Sequence, residues 1–402
     1  MRKAKADTDE IGTAPRRREF LKLIGLGAAG LALGDLRFAR ARAYELLLYV
    51  GTYTTGKSEG IYLYRFNLTS GELTHAGITK GVVNPSFLTL APSRRYLYAV
   101  NEVDNFAGRK SGAVSAFAVD QKTGELRLLN QQASLGANPC YVDVDASGKF
   151  VLIANYTGGN VTVFRIERDG SLGAATDMKQ YQGSSVNRER QEGPHAHCIL
   201  LDPANRFAYS CDLGTDKIRI FRFDAGRGKL LPVDPPSVQL QPGAGPRHLA
   251  FHSSGKHVFV LNELNSTVTT FKRSQEKGSL HELQTISTLP NGFTGSNTGA
   301  DIHLSPDGRF VYCSNRGHDS VGIFKFDSQN GVLLPMGHEP TQGKTPRNFA
   351  IDPAGEFLLA ANQNSDRIVV FRRNKQTGQL NPTGRTINVP APVCLKFVMP
   401  FS

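Results

Sequence analysis

The sequence lacks several features that would assign it quickly to a class of protein. It has no tryptophan, so any aromatic platform must come from tyrosine, phenylalanine or histidine. Its five cysteines are odd in number, contain no C-x-x-C spacing, and each lies in or beside an apolar run. We therefore expect buried free thiols rather than a disulfide framework or a zinc site.

The signature motifs of three enzyme classes are also missing. No Gly-x-Ser-x-Gly elbow, P-loop or dinucleotide-binding fingerprint occurs in the 402 residues. This argues against a serine-nucleophile hydrolase and against a nucleotide-dependent enzyme.

The first 43 residues have the features of an export signal. Arg17 and Arg18 begin a twin-arginine signature, a short apolar stretch follows at 23–34, and "ARA" at 41–43 has the form of a signal peptidase site. The apolar stretch is too short to span a bilayer, so we expect no stable membrane insertion after cleavage. The alternative is an ordinary amphipathic first helix. An export signal predicts a mature protein of residues 44–402 in the periplasm or another extracytoplasmic compartment; without it, the protein would be cytoplasmic.

Lysine and arginine are not clustered in the chain after residue 43. The formal net charge is +12, of which residues 1–43 supply +5. After that segment, lysine and arginine occur in no run longer than a pair, and no nucleic-acid-binding motif accompanies them. A mildly basic body suits small anionic ligands and gives no support to nucleic-acid binding.

A repeated turn organises the chain after the first 43 residues. Gly-x-Leu recurs seven times, 46 to 58 residues apart, at 71–73, 124–126, 170–172, 228–230, 278–280, 331–333 and 378–380. Each turn follows an alternating aromatic or β-branched run such as "GIYLYRFNL", which is typical of a β-hairpin. A strand, a polar turn and a more apolar strand ending on Asn precede most of these runs. Each unit thus has four strands, A to D, and predicts one blade of a β-propeller.

The two ends of the chain predict how the blades close into a ring. Strands B, C and D follow Tyr44 without a strand A, whereas "APVCLKFVMP" at 391–400 is a lone strand A. Adding the last strand to the first blade would complete seven blades and pair both edges. We therefore predict an all-β fold, a seven-bladed β-propeller over residues 44–402 with its first blade closed by the C-terminal strand. An open β-solenoid is the alternative, and the divided blade argues against it.

Ionisable residues depart from the repeat at one mouth of the predicted channel. Strand A lines the channel of a propeller, and the start of A and the end of B reach the same face. Comparison of equivalent positions in the blades separates the framework residues from a charged set, which consists of His195, His197, Arg247, Glu263, Asp301, His303, Arg316 and Arg347. The Asn that ends strand B is interpreted as a turn residue. His248 is predicted to point away from Arg247 and to serve in packing or in support of the site.

The charged set suits chemistry on an anion. Arginine binds carboxylate or phosphate, a Glu beside an Arg stays ionised, and a His exchanges protons near neutral pH. Sixteen positions along strands A and B should bring Glu263 beside Arg247. A structural ion pair at the channel mouth is one alternative. A metal held by the His-x-His pair is a weaker one, since no H-x-x-x-H or H-E-x-x-H motif is present.

Four motifs together resemble the lactonase-type seven-bladed propellers. They are "GPHAHC" (193–198), "GAGPRH" (243–248), "NELNST" (262–267) and "ADIHLSPDGR" (300–309). The resemblance extends from about residue 44 to the C-terminus, and the family includes the propeller form of 6-phosphogluconolactonase and carboxy-cis,cis-muconate cyclase. It implies the opening or closing of a lactone ring without a metal or organic cofactor.

Transferred by motif, the resemblance implies catalytic roles for His195, Arg247 and Glu263. Glu263 or His195 would activate water, while Arg247 would hold the anion and polarise the ring carbonyl. The expected substrate-binding residues are His197, Asp301, His303, Arg316 and Arg347.

The preferred hypothesis is a lactone hydrolase, similar to 6-phosphogluconolactonase, that acts on a small anionic sugar lactone. The alternatives are a non-catalytic propeller that binds a ligand or a protein, and a cyclase that forms a muconate lactone. An export signal would separate the protein from cytoplasmic sugar phosphates, so a phosphorylated substrate is less strongly implied than lactone chemistry. The sequence does not indicate the oligomeric state.

Overall fold

The structure, a computed structural model, describes residues 45–399, which form seven four-stranded antiparallel sheets. The predicted export signal lies outside the described residues. Within residues 45–399, no helix is long and apolar enough to cross a membrane.

The strands, numbered in chain order, are grouped four to a blade. Blade 1 contains β1 (Glu45–Thr52), β2 (Gly60–Asn67), β3 (Leu73–Lys80) and the last strand, β28 (Pro392–Val398). Blade 2 contains β4 (Leu88–Leu90), β5 (Tyr96–Asn101), β6 (Ala113–Val119) and β7 (Leu126–Ala133). Blade 3 contains β8 (Pro139–Val144), β9 (Phe150–Asn155), β10 (Asn160–Ile166) and β11 (Leu172–Gln180). Blade 4 contains β12 (Ala196–Leu201), β13 (Phe207–Asp212), β14 (Lys217–Asp224) and β15 (Lys229–Gln239).

The remaining blades repeat the same order. Blade 5 contains β16 (Pro246–Phe251), β17 (His257–Asn262), β18 (Thr267–Arg273) and β19 (Leu280–Ser287). Blade 6 contains β20 (Thr298–Leu304), β21 (Phe310–Arg316), β22 (Ser320–Asp327) and β23 (Val332–Pro340). Blade 7 contains β24 (Pro346–Ile351), β25 (Phe357–Asn362), β26 (Arg367–Arg373) and β27 (Leu380–Asn388). Two short 3-10 helices, Leu213–Thr215 and Gln363–Ser365, follow β13 and β25.

The ring closes through the first blade, as the ends of the chain predicted. Strand β28 pairs antiparallel with β1, with Tyr49 opposite Lys396, and occupies the innermost position of blade 1. Each innermost strand contacts the innermost strand of the next blade around the ring, and β28 contacts both β24 and β4. The seven-bladed propeller and its closure by the C-terminal strand are therefore confirmed.

The Gly-x-Leu turns connect neighbouring blades as well as strands. Each of the seven turn glycines has a positive φ, and at Gly378 a Cβ would overlap the ring of Phe310 in blade 6. In four blades a tyrosine of the second strand donates its hydroxyl to the turn glycine carbonyl of the next blade, at 2.5–2.9 Å: Tyr49 to Gly124, Tyr98 to Gly170, Tyr209 to Gly278 and Tyr312 to Gly378. The repeated glycine thus serves both the turn geometry and the contact between blades.

The Asn that ends the second strand of a blade has a different role from the predicted one. In four blades its Nδ2 donates to a carbonyl of the connector that enters the same blade, at 2.7–3.1 Å: Asn101 to Val83, Asn155 to Ser134, Asn315 to Thr288 and Asn362 to Thr341. These side chains are buried, and their bonds satisfy backbone carbonyls of the connectors. The interpretation as a turn residue is therefore wrong, because the Asn fastens the connector to the blade.

The interior is divided among the blades rather than gathered in one core. Buried apolar residues form clusters between adjacent sheets, for example Phe150 and Leu152 of blade 3 with Ile199 and Ala208 of blade 4. All five cysteines lie in this interior as buried free thiols, as the sequence predicted.

Candidate active site

One mouth of the channel contains a cavity of about 300 Å³, here named the upper cavity. It lies where the innermost strands begin and the second strands end. Its wall is polar and charged, and consists of Glu102, Cys140, Tyr156, Arg190, His197, Glu263, Thr298, Arg316 and Arg347.

A β-bulge at the start of the innermost strand places several of these side chains. The pairing register skips one residue there in five blades, and the skipped residues are Cys140, His197, Arg247, Arg347 and Val393. A bulge leaves one residue unpaired and re-aims its side chain. In this way the same β-bulge presents Cys, His, Arg, Arg and Val in blades 3, 4, 5, 7 and 1, whereas the pairing of blade 6 skips both Ala300 and Asp301.

Glu263 is the centre of the charge network. It is buried, its Oε1 accepts a hydrogen bond from Arg190 Nη2 at 2.7 Å, and its Oε2 lies 2.9 Å from both Arg247 Nε and Arg316 Nη2. Burial alone would raise the pKa of Glu263, but the charges of the three arginines outweigh it and hold the pKa well below its usual range. Glu263 is therefore ionised at every physiological pH.

Arg247 lies beneath Glu263 and outside the wall of the cavity. The residue is only 2% exposed, and its Nη1 donates to the carbonyl of Ala300 and contacts the ring of His248. The Nε contact with Glu263 is an ion pair without the alignment of a hydrogen bond. The predicted approach of Glu263 to Arg247 is confirmed. Arg247 is outside the wall of the cavity, and its contact with the substrate stays a prediction.

His197 lies within the wall and faces Glu263. Its Nε2 is 3.9 Å from Glu263 Oε2, and its Nδ1 is 3.7 Å from the Sγ of Cys140. Burial lowers the pKa of His197 well below its usual range, and the charges of Arg247, His248 and Arg347 add to the effect. The imidazole is therefore neutral at pH 7, with a lone pair free to accept a proton.

His195 lies on the other side of Tyr156 and is not part of the cavity wall. Its ring stacks on Tyr156 with centroids 4.5 Å apart, and its Nε2 lies 3.0 Å from Glu192 Oε1. Blade 4 begins its innermost strand at Ala196, which pairs with Asp212 as Pro246 pairs with Asn262 in blade 5. In the sequence, His195 follows Pro194 as Arg247 follows Pro246, which makes the two residues look equivalent. The structural counterpart of Arg247 is His197, two residues further on.

Arg190 reaches the site from the connector between β11 and β12, residues 181–195. It binds Glu263, and the same Nη2 donates to the hydroxyl of Tyr156 at 3.1 Å. The connector is held down beside Arg190 by Gln191, whose Nε2 donates to Asp216 Oδ1 at 2.8 Å. An aperiodic connector thus supplies one of the arginines around Glu263.

Arg347 differs from the other arginines because it has no ionic partner. Among residues 45–399, no carboxylate lies within ion-pair distance of its guanidinium, which sits over the ring of Tyr53 at 5.3 Å. The Tyr53 hydroxyl in turn donates to Glu102 Oε2 at 2.9 Å. The upper cavity therefore has a second carboxylate and an arginine that is available to a ligand.

Asp301 and His303 lie in a different cavity, further along the channel. This lower cavity has a volume of about 370 Å³ and is lined by Phe87, Tyr141, His248, Asp301, His303 and Lys396 among others. The prediction that Asp301 and His303 share one mouth of the channel with Glu263 is therefore wrong, while their contact with substrate stays a prediction. His248 also turns toward this cavity, as the alternation of side chains predicts, and its Nδ1 lies 2.8 Å from Asp301 Oδ1.

Three functional residues escaped the sequence comparison. Glu102 and Tyr156 follow the strand-ending Asn at the same position as Glu263, so the repeat itself carried a signal for them. Arg190 had no signal, because its connector is longer than those that enter the other blades and Arg190 matches no repeated position. Four arginines and two glutamates now surround the site, and the excess of positive groups favours an anionic ligand.

Comparison with known proteins supports this interpretation of the fold. A family described as "Lactonase, 7-bladed beta-propeller" matches residues 47–397. The 6-phosphogluconolactonase of Bacillus subtilis (strain 168) is 37% identical over 350 residues, which cover 87% of this chain and 97% of the relative. The 6-phosphogluconolactonase of Formosa agariphila is 37% identical over 308 residues, covering 76% of this chain and 86% of the relative.

Two solved structures are similar over nearly their whole length. The periplasmic gluconolactonase PpgL of Pseudomonas aeruginosa is 35% identical with a TM-score of 0.83, covering 89% of this chain and 99% of that one. A Bacteroides fragilis protein with a proposed 6-phosphogluconolactonase activity is 42% identical with a TM-score of 0.82, covering 88% and 98%. The chain belongs to the lactonase family of seven-bladed β-propellers.

Proposed function

We propose that the protein is a lactone hydrolase, a carboxylic ester hydrolase that opens a sugar lactone to its hydroxy acid in the upper cavity. The observation that carries the proposal is a neutral His197 that faces a carboxylate held by three arginines. Relatives named 6-phosphogluconolactonase and gluconolactonase support the same reaction. The reaction needs an activated water, a stabilised oxyanion and a protonated leaving group.

Arg347 and Arg316 are the groups that would meet the negative charge of the substrate. Arg347 lines the cavity without an ionic partner, so it can bind a phosphate or carboxylate without breaking an existing ion pair. Arg316 Nη2 contacts Glu263, and the residue lines the cavity, so we assign it to stabilise the oxyanion that forms during attack.

His197 is the proposed base. Its Nε2 takes a proton from water while the water oxygen bonds to the lactone carbonyl carbon and the carbonyl oxygen becomes an oxyanion. The ring C–O bond then breaks, and the imidazolium returns the proton to the departing alkoxide, which yields the hydroxy acid. Glu263 is too weak a base for this step, since the arginines stabilise its ionised form, but it stabilises the imidazolium from 3.9 Å. Neutralisation of Arg347 by a bound anion raises the pKa of His197 and strengthens it as a base.

Arg247 and His195 act as positioning residues in this proposal. Arg247 holds Glu263 from below, and His195 supports the ring of Tyr156, whose hydroxyl receives a hydrogen bond from Arg190. Both residues support the geometry of the site, and neither is part of the wall of the upper cavity.

The two histidines provide a matched test of the proposal. The purified protein is expected to hydrolyse glucono-δ-lactone or its 6-phosphate, measured as acid release at constant pH. His197→Asn is expected to lower kcat by roughly 10²–10⁴-fold, the usual contribution of a general base. His195→Asn should cause a much smaller loss, since its side chain stays outside the cavity.

Two results would contradict the proposal. A larger loss from His195→Asn than from His197→Asn would return the base to the position that the sequence motif indicated. Absence of turnover on every sugar lactone, with the protein folded, would leave a non-catalytic ligand-binding propeller.

We also propose that residues 1–43 direct the protein out of the cytoplasm by the twin-arginine route. The support is the order of arginine pair, apolar stretch and cleavage site in the sequence, and the periplasmic location in the name of the Pseudomonas relative. Replacement of Arg17 and Arg18 by Lys should keep the protein in the cytoplasm, measured by cell fractionation. Unchanged export would contradict it.

A further inference from the structure

We propose that Glu102 is a specificity-determining residue, which accepts a hydrogen bond from a ring hydroxyl of the lactone. This inference rests on the lactone hydrolysis proposed above and concerns the same cavity. It assigns a role to the second carboxylate, for which the hydrolytic steps have no use.

Glu102 is held in place by two hydroxyl groups. It directly follows Asn101 at the end of β5, at the position that Glu263 occupies after β17. Its Oε2 accepts hydrogen bonds from Ser86 Oγ at 2.5 Å and from Tyr53 Oη at 2.9 Å. Two donors on one oxygen restrict the rotation of the carboxyl group, so the acceptor is oriented before a ligand arrives.

The other oxygen of Glu102 is left without a donor. Within the described part of the chain, no side chain or backbone group donates to Oε1, although the residue lines the cavity. Glu263 is the opposite case, since arginines contact both of its oxygens. Both oxygens of Glu263 are therefore occupied by arginine side chains, whereas Oε1 of Glu102 is available to a ligand.

The neighbours of Glu102 indicate what that ligand presents. The unpaired Arg347 sits over Tyr53, the same residue that holds Glu102, so a free cation and a free acceptor adjoin each other. A hydroxy lactone with an anionic group can satisfy both, with its hydroxyl on Glu102 and its anion on Arg347. A polycarboxylate without hydroxyl groups has no donor for Glu102 and would place like charges together. The arrangement therefore selects polyhydroxylated lactones over muconate-type lactones.

The test compares two six-membered lactones that differ only in their hydroxyl-bearing substituents. Glucono-δ-lactone carries ring hydroxyls, and δ-valerolactone is the same ring without them. Glu102→Gln is expected to lower kcat/KM for glucono-δ-lactone by roughly 10–100-fold, the effect of losing one hydrogen bond to a charged group. The value for δ-valerolactone should stay near that of the wild type. Glu276→Gln, at an exposed glutamate, is the matched control and should change neither value.

Each outcome decides a separate point. An equal loss on both lactones would assign Glu102 to catalysis or to folding and overturn the specificity role, while leaving the hydrolase proposal intact. Unchanged values on both would also overturn it.

Two further measurements cover the cases in which turnover is uninformative. If the wild type hydrolyses neither lactone, the hydrolase proposal fails, and calorimetric binding of gluconate to wild type and Glu102→Gln tests hydroxyl recognition alone: loss of binding in the variant supports the role, and equal binding overturns it. If Glu102→Gln does not fold, Tyr53→Phe removes only one of the two donors on Oε2. It should lower the preference for glucono-δ-lactone over δ-valerolactone, and an unchanged preference overturns the role.

Discussion

The upper and lower cavities of the channel both contain a buried carboxylate, but they differ in whether the polar groups around it all have partners. Each has a buried carboxylate among basic side chains, Glu263 above and Asp301 below. Asp301 is satisfied by its neighbours, because His248 and His303 contact one oxygen each and Asn348 Nδ2 donates to Oδ2 as well. In the upper cavity, Arg347 has no ionic partner and one oxygen of Glu102 has no hydrogen-bond donor among the described residues. Polar groups that have no partner within the protein thus distinguish the candidate ligand site from the lower cavity.

The consecutive residues Arg247 and His248 of β16 lie between the two cavities. Arg247 contacts Glu263, whereas His248 contacts Asp301 and lies edge-on to Tyr141 and Phe87. Their side chains serve different cavities because neighbours on a strand point to opposite sides. Burial and the charge of Arg247 lower the pKa of His248 to about 3, so it stays neutral and donates its Nδ1 proton to Asp301. Burial opposes ionisation of Asp301, but the two histidines hold its pKa well below the usual range.

The largest expected difference between the cavities lies in their carboxylates. Glu263→Gln should lower kcat by about 10³-fold, because an oriented electrostatic group contributes on that order. Asp301→Asn should leave the rate of lactone hydrolysis close to that of the wild type. Glu263→Gln should also lower the free energy of unfolding by about 3–5 kcal/mol, since it leaves buried arginines uncompensated. Asp301→Asn should lower it by about 1–3 kcal/mol, because it weakens buried hydrogen bonds without leaving a buried cation unpaired. Acid release and denaturant titration measure the two effects.

This pair of variants would break the comparison if the effects were exchanged. A loss of activity in Asp301→Asn equal to that in Glu263→Gln, at a temperature where both are folded, would join the lower cavity to the reaction.

A smaller difference is expected between Arg247 and Arg347, which both occupy the bulge position of their blades. Arg347→Ala should raise KM for an anionic lactone by roughly 10–100-fold, the value of a lost charged hydrogen bond. Its free energy of unfolding should change little, because no ion pair is broken. Arg247→Ala removes a fully buried partner of Glu263 and should cost about 3–5 kcal/mol of stability. Steady-state kinetics and thermal melting separate the two, and an unchanged KM in Arg347→Ala would refute its role as the anion site.

The smallest effect concerns the pH dependence of stability, which the neutral His248 controls. The folded-state pKa of about 3 lies below the unfolded value of 6.5. Above pH 6.5 neither state binds the proton and the histidine contributes nothing. Between pH 6.5 and about 3 the unfolded state alone is protonated, so stability falls by about 1.4 kcal/mol per pH unit as the pH is lowered. His197 adds a loss of the same sign.

His248→Gln removes this proton linkage and should flatten the acid limb of the stability curve by about one proton. Urea titrations of wild type and variant between pH 7 and 5 measure the slope. Equal slopes would show that His248 is not held neutral.

Much of the site followed from the blade comparison, and its errors have two physical sources, the number of residues before the bulge and the depth of a residue along the channel. The approach of Arg247 to Glu263 depends only on strand length and was predicted. The bulge that re-aims Arg247 also places His197, but blade 4 has two more residues after its proline, so counting selected His195. The two additional residues move the bulge of blade 4 from position 195 to position 197, so His197 rather than His195 faces the channel. Asp301 and His303 share the correct strand, but they lie deeper along it than the upper cavity.

The sequence by itself determined the seven blades, their closure by the last strand and the family. These properties rest on periodic features, the Gly-x-Leu turns and alternating strands, which are local and repeat along the chain. Apart from the pair of Arg247 and Glu263, only the tertiary structure decided which polar groups meet, for three reasons. Arg190 comes from an aperiodic connector, the Tyr–Gly bonds join different blades, and the unpaired state of Arg347 and Glu102 depends on every neighbour around them. Pairing in three dimensions is a non-local property, and no periodicity along the chain encodes it.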